Sequence, residues 1–289
     1  MTRKLMHLEE SWVICGGLPL HYWQSTSTDY SEGPTLIHLH GFGISGSYLL
    51  PTADELAADY RTYVPNLPGY GRSIHPDHVH SIPELAQAVI RFMDAVGIEK
   101  AVLIGNSMGC IISIETALEA PERIERVILV SPAGGRNNRP IFKGVSQLAL
   151  DSFREPLSMY IVAIPDYLRF GLINAGKLFW QMIHYPTVEQ FRDTSASTLV
   201  VLGARDPLVN EVRITEGTVG NENVQIVRID GAAHAINYSH PGKLSSLIRQ
   251  YLQGHPFADD EAYPGTAVIL RESVRPETSA AAPRELQKS

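Results

Sequence analysis

The sequence contains few cysteines, fewer basic than acidic residues, and no long apolar run. Its 289 residues include only Cys15 and Cys110, and the predicted burial of Cys110 in a helix makes a disulfide between them unexpected. No apolar run reaches the roughly 18 residues that a membrane span needs. The net charge of -7 argues against a nucleic-acid partner.

The N-terminus lacks the apolar segment of a signal peptide. Arg3 and Lys4 are followed by Glu9 and Glu10 rather than by an apolar stretch. With so few cysteines, this indicates a cytoplasmic location. The remaining composition, 44% hydrophobic and 19% charged, is typical of a globular chain with one sizeable core.

Strand and helix patterns alternate along most of the chain. Short apolar segments predict eight strands, at 11–15, 19–24, 35–39, 61–65, 101–104, 127–130, 198–202 and 224–229. Helical patterns occupy residues 47–59, 82–96, 110–120 and 240–253. This alternation predicts an α/β fold with a mostly parallel sheet that helices cover on both faces.

One long segment interrupts the alternation after the sixth predicted strand. Residues 136–195 are apolar, aromatic-rich and helical in pattern, which predicts a helical cap over the sheet edge where open α/β sheets bind ligands. Residues 1–135 and 196–255 would then form the core. The polar tail, 256–289, is expected to be mostly disordered, although its apolar piece 266–270 could dock on the surface.

The segment from Gly105 to Gly109 has the pattern G-x-S-x-G with Ser107 at its centre. A predicted strand precedes it and a predicted helix follows it. A sharp strand-to-helix turn is the context in which this pattern presents a serine nucleophile. The pattern alone arises often by chance, so the prediction depends on partners for Ser107.

Two candidate partners follow Ser107 in the order that such a site requires. Asp206 comes directly after the seventh predicted strand, and His234 follows the eighth. A serine needs an adjacent base, which a third group orients. As alternatives, Asp206 could be a turn former and His234 a solvated loop residue. Asp230 and Asp166 are rival acids, the first too near His234 in the chain and the second in the cap.

The oxyanion that forms when a serine attacks a carbonyl carbon needs hydrogen-bond donors from the backbone. In this architecture they are the N–H of the residue after the nucleophile, Met108, and an N–H from the loop after the third strand, for which Phe42 is the candidate. His40 in that loop is interpreted as a brace rather than as a base. An unperturbed His234 would make activity fall as the pH drops through about 6–7.

Five motifs together carry a family resemblance. They are HGFG (40–43), LPGYGRS (67–73), GNSMG (105–109), GARDP (203–207) and GAAH (231–234). Over residues 10–255 the chain resembles the α/β-hydrolase superfamily. The resemblance implies the α/β-hydrolase fold, with an eight-stranded, mostly parallel sheet and a cap. It also implies hydrolysis through an acyl-enzyme on Ser107 without a metal or organic cofactor.

Within the superfamily, GNSMG resembles the meta-cleavage-product hydrolases, which split carbon–carbon bonds in ring-fission products. Two positions depart from that pattern: Gly43-Ile44-Ser45-Gly46 is not rich in proline, and Ala235 replaces the tryptophan that usually follows the histidine. Residues 235–241 look more like small-ester hydrolases. Relatives with an aspartate nucleophile, the epoxide hydrolases and haloalkane dehalogenases, are disfavoured.

The favoured hypothesis is hydrolysis of a small to medium, fairly apolar carboxylic ester by a monomer or homodimer. Phe42, Phe179 and Trp180 are the candidate pocket residues, because an apolar pocket suits an apolar ester. The alternatives are carbon–carbon bond hydrolysis, with Arg169 or Arg192 holding the substrate carboxylate, and ligand binding without turnover.

Overall fold

A nine-stranded sheet organises the protein. The computed structural model describes residues 4–27, 30, 33–134, 138–191, 193–257 and 267–271. The strands are β1 Leu8–Cys15, β2 Leu18–Ser25, β3 Leu36–Leu39, β4 Thr62–Pro65, β5 Ala101–Asn106, β6 Ile124–Val130, β7 Ser197–Gly203, β8 Val224–Ile229 and β9 Ala267–Arg271. Their order across the sheet is β1-β2-β4-β3-β5-β6-β7-β8-β9.

The middle of the sheet is parallel, and its edges are antiparallel. Strands β4, β3, β5, β6, β7 and β8 pair in parallel, whereas β1–β2, β2–β4 and β8–β9 are antiparallel pairs. Gly16 and Gly17 join β1 to β2 with φ of 58° and 86°. Positive φ at both central residues is what a tight hairpin turn requires. The parallel strands direct their carboxyl ends toward one edge of the sheet.

Helices connect the strands. They are α1 Leu50–Leu56, α2 Ile82–Ala95, α3 Met108–Glu119, α4 Ile141–Ser152, α5 Leu157–Phe170, α6 Leu172–His184, α7 Thr187–Gln190, α8 Glu211–Gly217, α9 Ile236–Ser239 and α10 Pro241–Gln253. Short 3₁₀ helices precede α1 and β6. Helix α2 starts at a capping box, in which Ser81 and Glu84 each satisfy the other's backbone N–H.

The core lies on both faces of the sheet, as the sequence predicts. Leu103 of β5 belongs to one apolar cluster together with residues of α2 and α3. Its neighbours Val102 and Ile104 belong to the opposite cluster, which includes residues of α1 and α10. Successive strand residues therefore pack on opposite faces, and the central strands are buried on both sides.

The number of strands differs from the predicted eight, because β9 adds a ninth. It pairs antiparallel with β8, so that Val227 lies opposite Ile269 and Arg228 lies opposite Val268. The edge of β8 would otherwise present unpaired backbone groups, and a short apolar segment can satisfy them. The apolar piece in the predicted tail is thus an edge strand, while residues 258–266 and 272–289, where we predicted disorder, lie outside the described residues.

Four helices, α4 to α7, lie between β6 and β7 in the chain. Their position agrees with the predicted insertion at 136–195, although the division into core and cap stays a prediction. Cys15 and Cys110 are both buried free thiols. No helix in the described ranges has the length and apolar character that crossing a membrane requires.

Candidate active site

Ser107 lies at the tip of a strained turn between β5 and α3. Its φ of 57° and ψ of -117° are unusual for a residue with a side chain. The flanking glycines explain why the turn is possible. A Cβ on Gly105 would lie 2.3 Å from the Gly109 carbonyl oxygen, and one on Gly109 would lie 2.1 Å from the Leu39 carbonyl oxygen. The G-x-S-x-G spacing therefore follows from close backbone contacts.

Asp206 and His234 are brought together from loops that follow neighbouring strands. Asp206 follows β7, and its Oδ2 lies 2.8 Å from His234 Nδ1. The other oxygen of Asp206 accepts a hydrogen bond from the Leu208 N–H at 2.8 Å. With its side chain only 1% exposed, Asp206 is held as an acceptor for a protonated Nδ1. That arrangement leaves Nε2 of a neutral His234 free to accept a proton.

Ser107 and His234 line the same cavity. Nε2 of His234 is buried and has no hydrogen-bond partner among the described residues, so the structure contains no bond between it and Ser107 Oγ. Such bonds are often loose in a ligand-free site and shorten when substrate binds. The rival acids lie elsewhere: Asp166 accepts the Ser45 N–H at 2.8 Å, and Asp230 pairs with Arg228 at 3.3 Å.

The surroundings of His234 raise its basicity. Burial alone lowers the pKa of His234, but the charge and hydrogen bond of Asp206 outweigh it, with Asp151 and Glu155 adding to the effect. Together they raise the pKa of His234 to about 9. The value of about 6–7 applies to an unperturbed histidine, and the nearby carboxylates raise the pKa of His234 above it.

A network that the sequence did not reveal fixes the groups around Ser107. The Gly41 N–H donates to Tyr48 Oη at 2.8 Å, and Tyr48 Oη donates to Asn106 Oδ1 at 2.6 Å. The Asn106 amide then donates to the carbonyl of His234 at 3.2 Å and to that of Val130 at 3.1 Å. The loop after β3, the elbow and the histidine loop are thus joined through Asn106, whose position in the motif gives no signal for this role.

Of the two predicted oxyanion donors, Met108 directly follows Ser107 in the chain, and Phe42 lines the same cavity as Ser107. Met108 is the first residue of α3, where helix N–H groups have no intrahelical acceptor. Phe42 lies in the loop after β3 and lines the cavity. His40 braces this loop, since its Nε2 accepts the Leu67 N–H at 3.1 Å and its Nδ1 lies 3.0 Å from the Gly41 carbonyl oxygen. Burial lowers the pKa of His40 to about 4, so it is neutral there.

A cavity of about 390 Å³ lies above Ser107, within the usual range for small-ligand sites. Its apolar lining includes Phe42, Ile44, Val145, Leu148, Met159 and Ala163. Of the predicted pocket residues, only Phe42 is part of this lining. Phe179 lies behind it, with ring centroids 5.7 Å apart. Trp180 packs against the His184 ring in a tilted arrangement and is 56% exposed. It does not line the cavity, because α6 directs it to solvent.

Two carboxylates from the inserted segment, one on α4 and one in the loop after it, also lie in the cavity wall. Asp151 of α4 accepts the backbone N–H of His234 at 3.3 Å, and Glu155 accepts that of Ala235 at 2.7 Å. Oε2 of Glu155 is buried without a hydrogen-bond partner in the described part of the chain. Burial, with the nearby Asp151 charge, raises the pKa of Glu155 to about 7, and burial raises that of Asp151. Nothing in the sequence distinguished these two acids.

The cavity wall contains no arginine or lysine side chain among the described residues. Arg169, one of the two arginines proposed for a substrate carboxylate, is exposed on α5 and does not line the cavity. Arg192 lies outside the described residues. No group of three or more His, Cys, Asp or Glu side chains in the described ranges is arranged to hold a metal ion.

The comparison with known families agrees with this fold. A family model described as an alpha/beta hydrolase family matches residues 36–247. The chain belongs to the alpha/beta hydrolase family. The resemblance and the fold class predicted from the motifs are thereby confirmed.

Two relatives of this alpha/beta hydrolase differ in the reaction they are named for. The chain is 31% identical over 252 residues to the pimeloyl-[acyl-carrier protein] methyl ester esterase of Aeromonas salmonicida, covering 77% of this chain and 97% of that protein. It is 39% identical over 258 residues to the 2-hydroxy-6-oxo-6-phenylhexa-2,4-dienoate hydrolase of Burkholderia cepacia, covering 78% and 89%. For several other curated esterases, the aligned part spans about half of their length.

Solved structures agree on the fold. The carboxylesterase CesB of Bacillus subtilis superimposes with a TM-score of 0.66 at 22% identity, over 87% of this chain and 93% of that one. At this identity the likeness establishes the fold alone.

Proposed function

We propose that this alpha/beta hydrolase cleaves a small to medium, fairly apolar carboxylic ester through an acyl-enzyme on Ser107. The observation that carries the proposal is the convergence of Ser107 and an Asp206-oriented His234 on one cavity with mostly apolar walls. A hydroxyl, a base and an orienting carboxylate are the groups that acyl transfer requires. The esterase relatives support the same reaction class.

In the proposed first step, His234 Nε2 takes the proton of Ser107 while Oγ bonds to the carbonyl carbon of the ester. The backbone N–H groups of Phe42 and Met108 stabilise the oxyanion that forms. Asp206 stabilises the charged imidazolium. When the tetrahedral intermediate collapses, His234 returns the proton to the leaving alcohol, and the acyl group remains on Oγ.

In the second step, water replaces the alcohol. His234 takes a proton from the water as its oxygen attacks the acyl carbon. The second tetrahedral intermediate uses the same donors; as its bond to Oγ breaks, His234 returns the proton to Oγ, which gives the carboxylic acid, free Ser107 and neutral His234. Both steps need neutral His234, so kcat/KM should rise with pH through the His234 pKa of about 9.

Carbon–carbon bond hydrolysis is the second candidate, favoured by the 39% identical relative from Burkholderia cepacia. Its named substrate, a dienoate, carries a carboxylate. The described cavity wall offers the buried acids Asp151 and Glu155 and no arginine or lysine. The reaction needs neutral His234, so a substrate carboxylate beside these acids would have no cation in the described wall to pair with and would be disfavoured by like-charge repulsion. We therefore place ester hydrolysis first.

Replacing Glu155 with glutamine should lower the pH at which activity develops. Glu155 ionises near pH 7, below the His234 pKa of about 9, so it is charged while His234 titrates. Removing that charge destabilises the imidazolium and shifts the midpoint of kcat/KM downward, by about half a pH unit. The glutamine oxygen can still accept the Ala235 N–H. The measurement is the pH profile of p-nitrophenyl acetate hydrolysis.

The matched control is Glu122→Gln, an exposed acid at the 3₁₀ helix before β6. It should leave the midpoint unchanged. A Glu155→Gln profile that coincides with that of the wild type would show that Glu155 does not influence the base.

The proposed reaction is tested with p-nitrophenyl esters of increasing acyl length beside one meta-cleavage diketone. We expect ester turnover to dominate, with a length optimum set by the roughly 390 Å³ cavity. Diketone turnover far above ester turnover would assign the chain to carbon–carbon hydrolysis. Tight binding of either substrate without turnover would support the binding-protein alternative.

A further inference from the structure

The exposed side of the inserted helices is strongly apolar. On α5, Leu157, Ile161, Ile164 and Leu168 recur at helical spacing and are between 52% and 85% exposed. The opposite side of the same helix contributes Met159 and other residues to the catalytic cavity. A helix that is apolar on both sides normally has both of them covered.

The neighbouring helices α4 and α6 also expose apolar side chains. Phe142 and Val145 of α4 are largely exposed, as are Ile173 and Trp180 of α6. Isolated surface apolar residues need no explanation, but apolar groups concentrated on one structural unit mark an interaction surface. We call the exposed apolar residues of α4, α5 and α6 the cap surface.

The charged residues that these helices expose are basic. Lys143, Arg169 and Lys177 are exposed. The acids between Ile141 and His184 are Asp151, Glu155 and Asp166, and all three are buried. This basic surface occurs on a chain whose net charge is -7. Apolar side chains with basic neighbours are the combination that binds the interface of an anionic bilayer.

A second copy of the chain fits this surface less well. A two-fold symmetric dimer would place the cap surface against itself. The exposed basic residues of the two copies would then approach each other without acidic partners from α4, α5 or α6.

We propose that the cap surface docks on the surface of an anionic lipid bilayer. Val145 and Tyr167 line the catalytic cavity and are also 55% and 41% exposed on these helices, so the cavity opens beside the docking surface. An apolar ester dissolved in the lipid would then reach Ser107 with little exposure to water.

The test is co-sedimentation of the full chain with vesicles of phosphatidylcholine alone and of an equimolar mixture with phosphatidylglycerol. We expect binding to the mixed vesicles, weakened by salt. The variant with both Ile161→Glu and Leu168→Glu should bind at least about tenfold more weakly, because it loses buried apolar area and gains repelling charge. The variant with Arg169→Gln and Lys177→Gln should lose the preference for the mixed vesicles.

The matched control is the variant with both Ile14→Glu and Val219→Glu, which changes two comparably exposed apolar residues that lie outside α4, α5 and α6. It should bind like the wild type, and circular dichroism checks that every variant is folded. The proposal is overturned by any of three results: the wild type does not bind mixed vesicles, it binds both vesicle types equally, or the control variant loses as much binding as the variant with Ile161→Glu and Leu168→Glu. The wild type could fail to bind and be a dimer, and the variant with Ile161→Glu and Leu168→Glu could be a monomer. That result would show that a second copy of the chain, and not a bilayer, covers the cap surface.

Discussion

Ser107→Ala should abolish ester hydrolysis, with a loss in kcat on the order of 10⁶-fold. Alanine removes the only atom that can form the acyl-enzyme at this position. The fold should be retained, since the turn depends on Gly105 and Gly109 rather than on the hydroxyl. Hydrolysis of p-nitrophenyl acetate by purified wild type and variant, with thermal unfolding measured in parallel, gives the comparison.

Ser113→Ala is the matched control. Ser113 lies in α3, the helix that follows Ser107; it is fully buried, and its hydroxyl donates to the Gly109 carbonyl at 2.7 Å. Its loss should change kcat by a few-fold at most. Wild-type turnover in Ser107→Ala would mean that the elbow serine is not the nucleophile.

Asp206→Asn should lower kcat on the order of 10⁴-fold. Asparagine can still accept the Leu208 N–H through Oδ1, so the loop geometry should persist. Its amide group would face His234 Nδ1 as a donor and select the tautomer that carries the proton on Nε2. That tautomer cannot accept the Ser107 proton. Loss of the carboxylate also removes the main cause of the raised His234 pKa, so residual activity should develop at lower pH.

Asp230→Asn is the corresponding control. Asp230 lies in the same loop as His234 but is half exposed and pairs with Arg228. We expect kcat and the pH midpoint to stay within about twofold and a few tenths of a unit of the wild type. If Asp230→Asn had the larger effect, the orienting acid would be misassigned.

Much of the fold follows from local sequence patterns. All eight predicted strands occur, and α2, α3 and α10 lie within a few residues of their predicted positions, because apolar periodicity and turn residues act over short distances. The candidate residues Ser107, Asp206 and His234 could be predicted because motifs at strand ends place them at one sheet edge.

The rest depends on contacts between distant parts of the chain. Asp151 and Glu155 reach the backbone of His234 and Ala235 across 83 and 80 residues of sequence. That approach depends on how α4 packs over the core, which no local pattern encodes. Asp151 and Glu155 were missed, whereas Trp180 was wrongly included. As an aromatic residue in an apolar segment it was predicted to line the pocket, but α6 directs it to solvent.

The central claim is that Ser107 becomes acylated. Its most direct test is reaction with diethyl 4-nitrophenyl phosphate, which phosphorylates an activated serine and releases nitrophenolate. We predict one equivalent of nitrophenolate per chain, loss of esterase activity in proportion, and a diethylphosphoryl group on the peptide that contains Ser107. Loss of activity with Ser107 unmodified, or modification of another residue instead, would contradict the account.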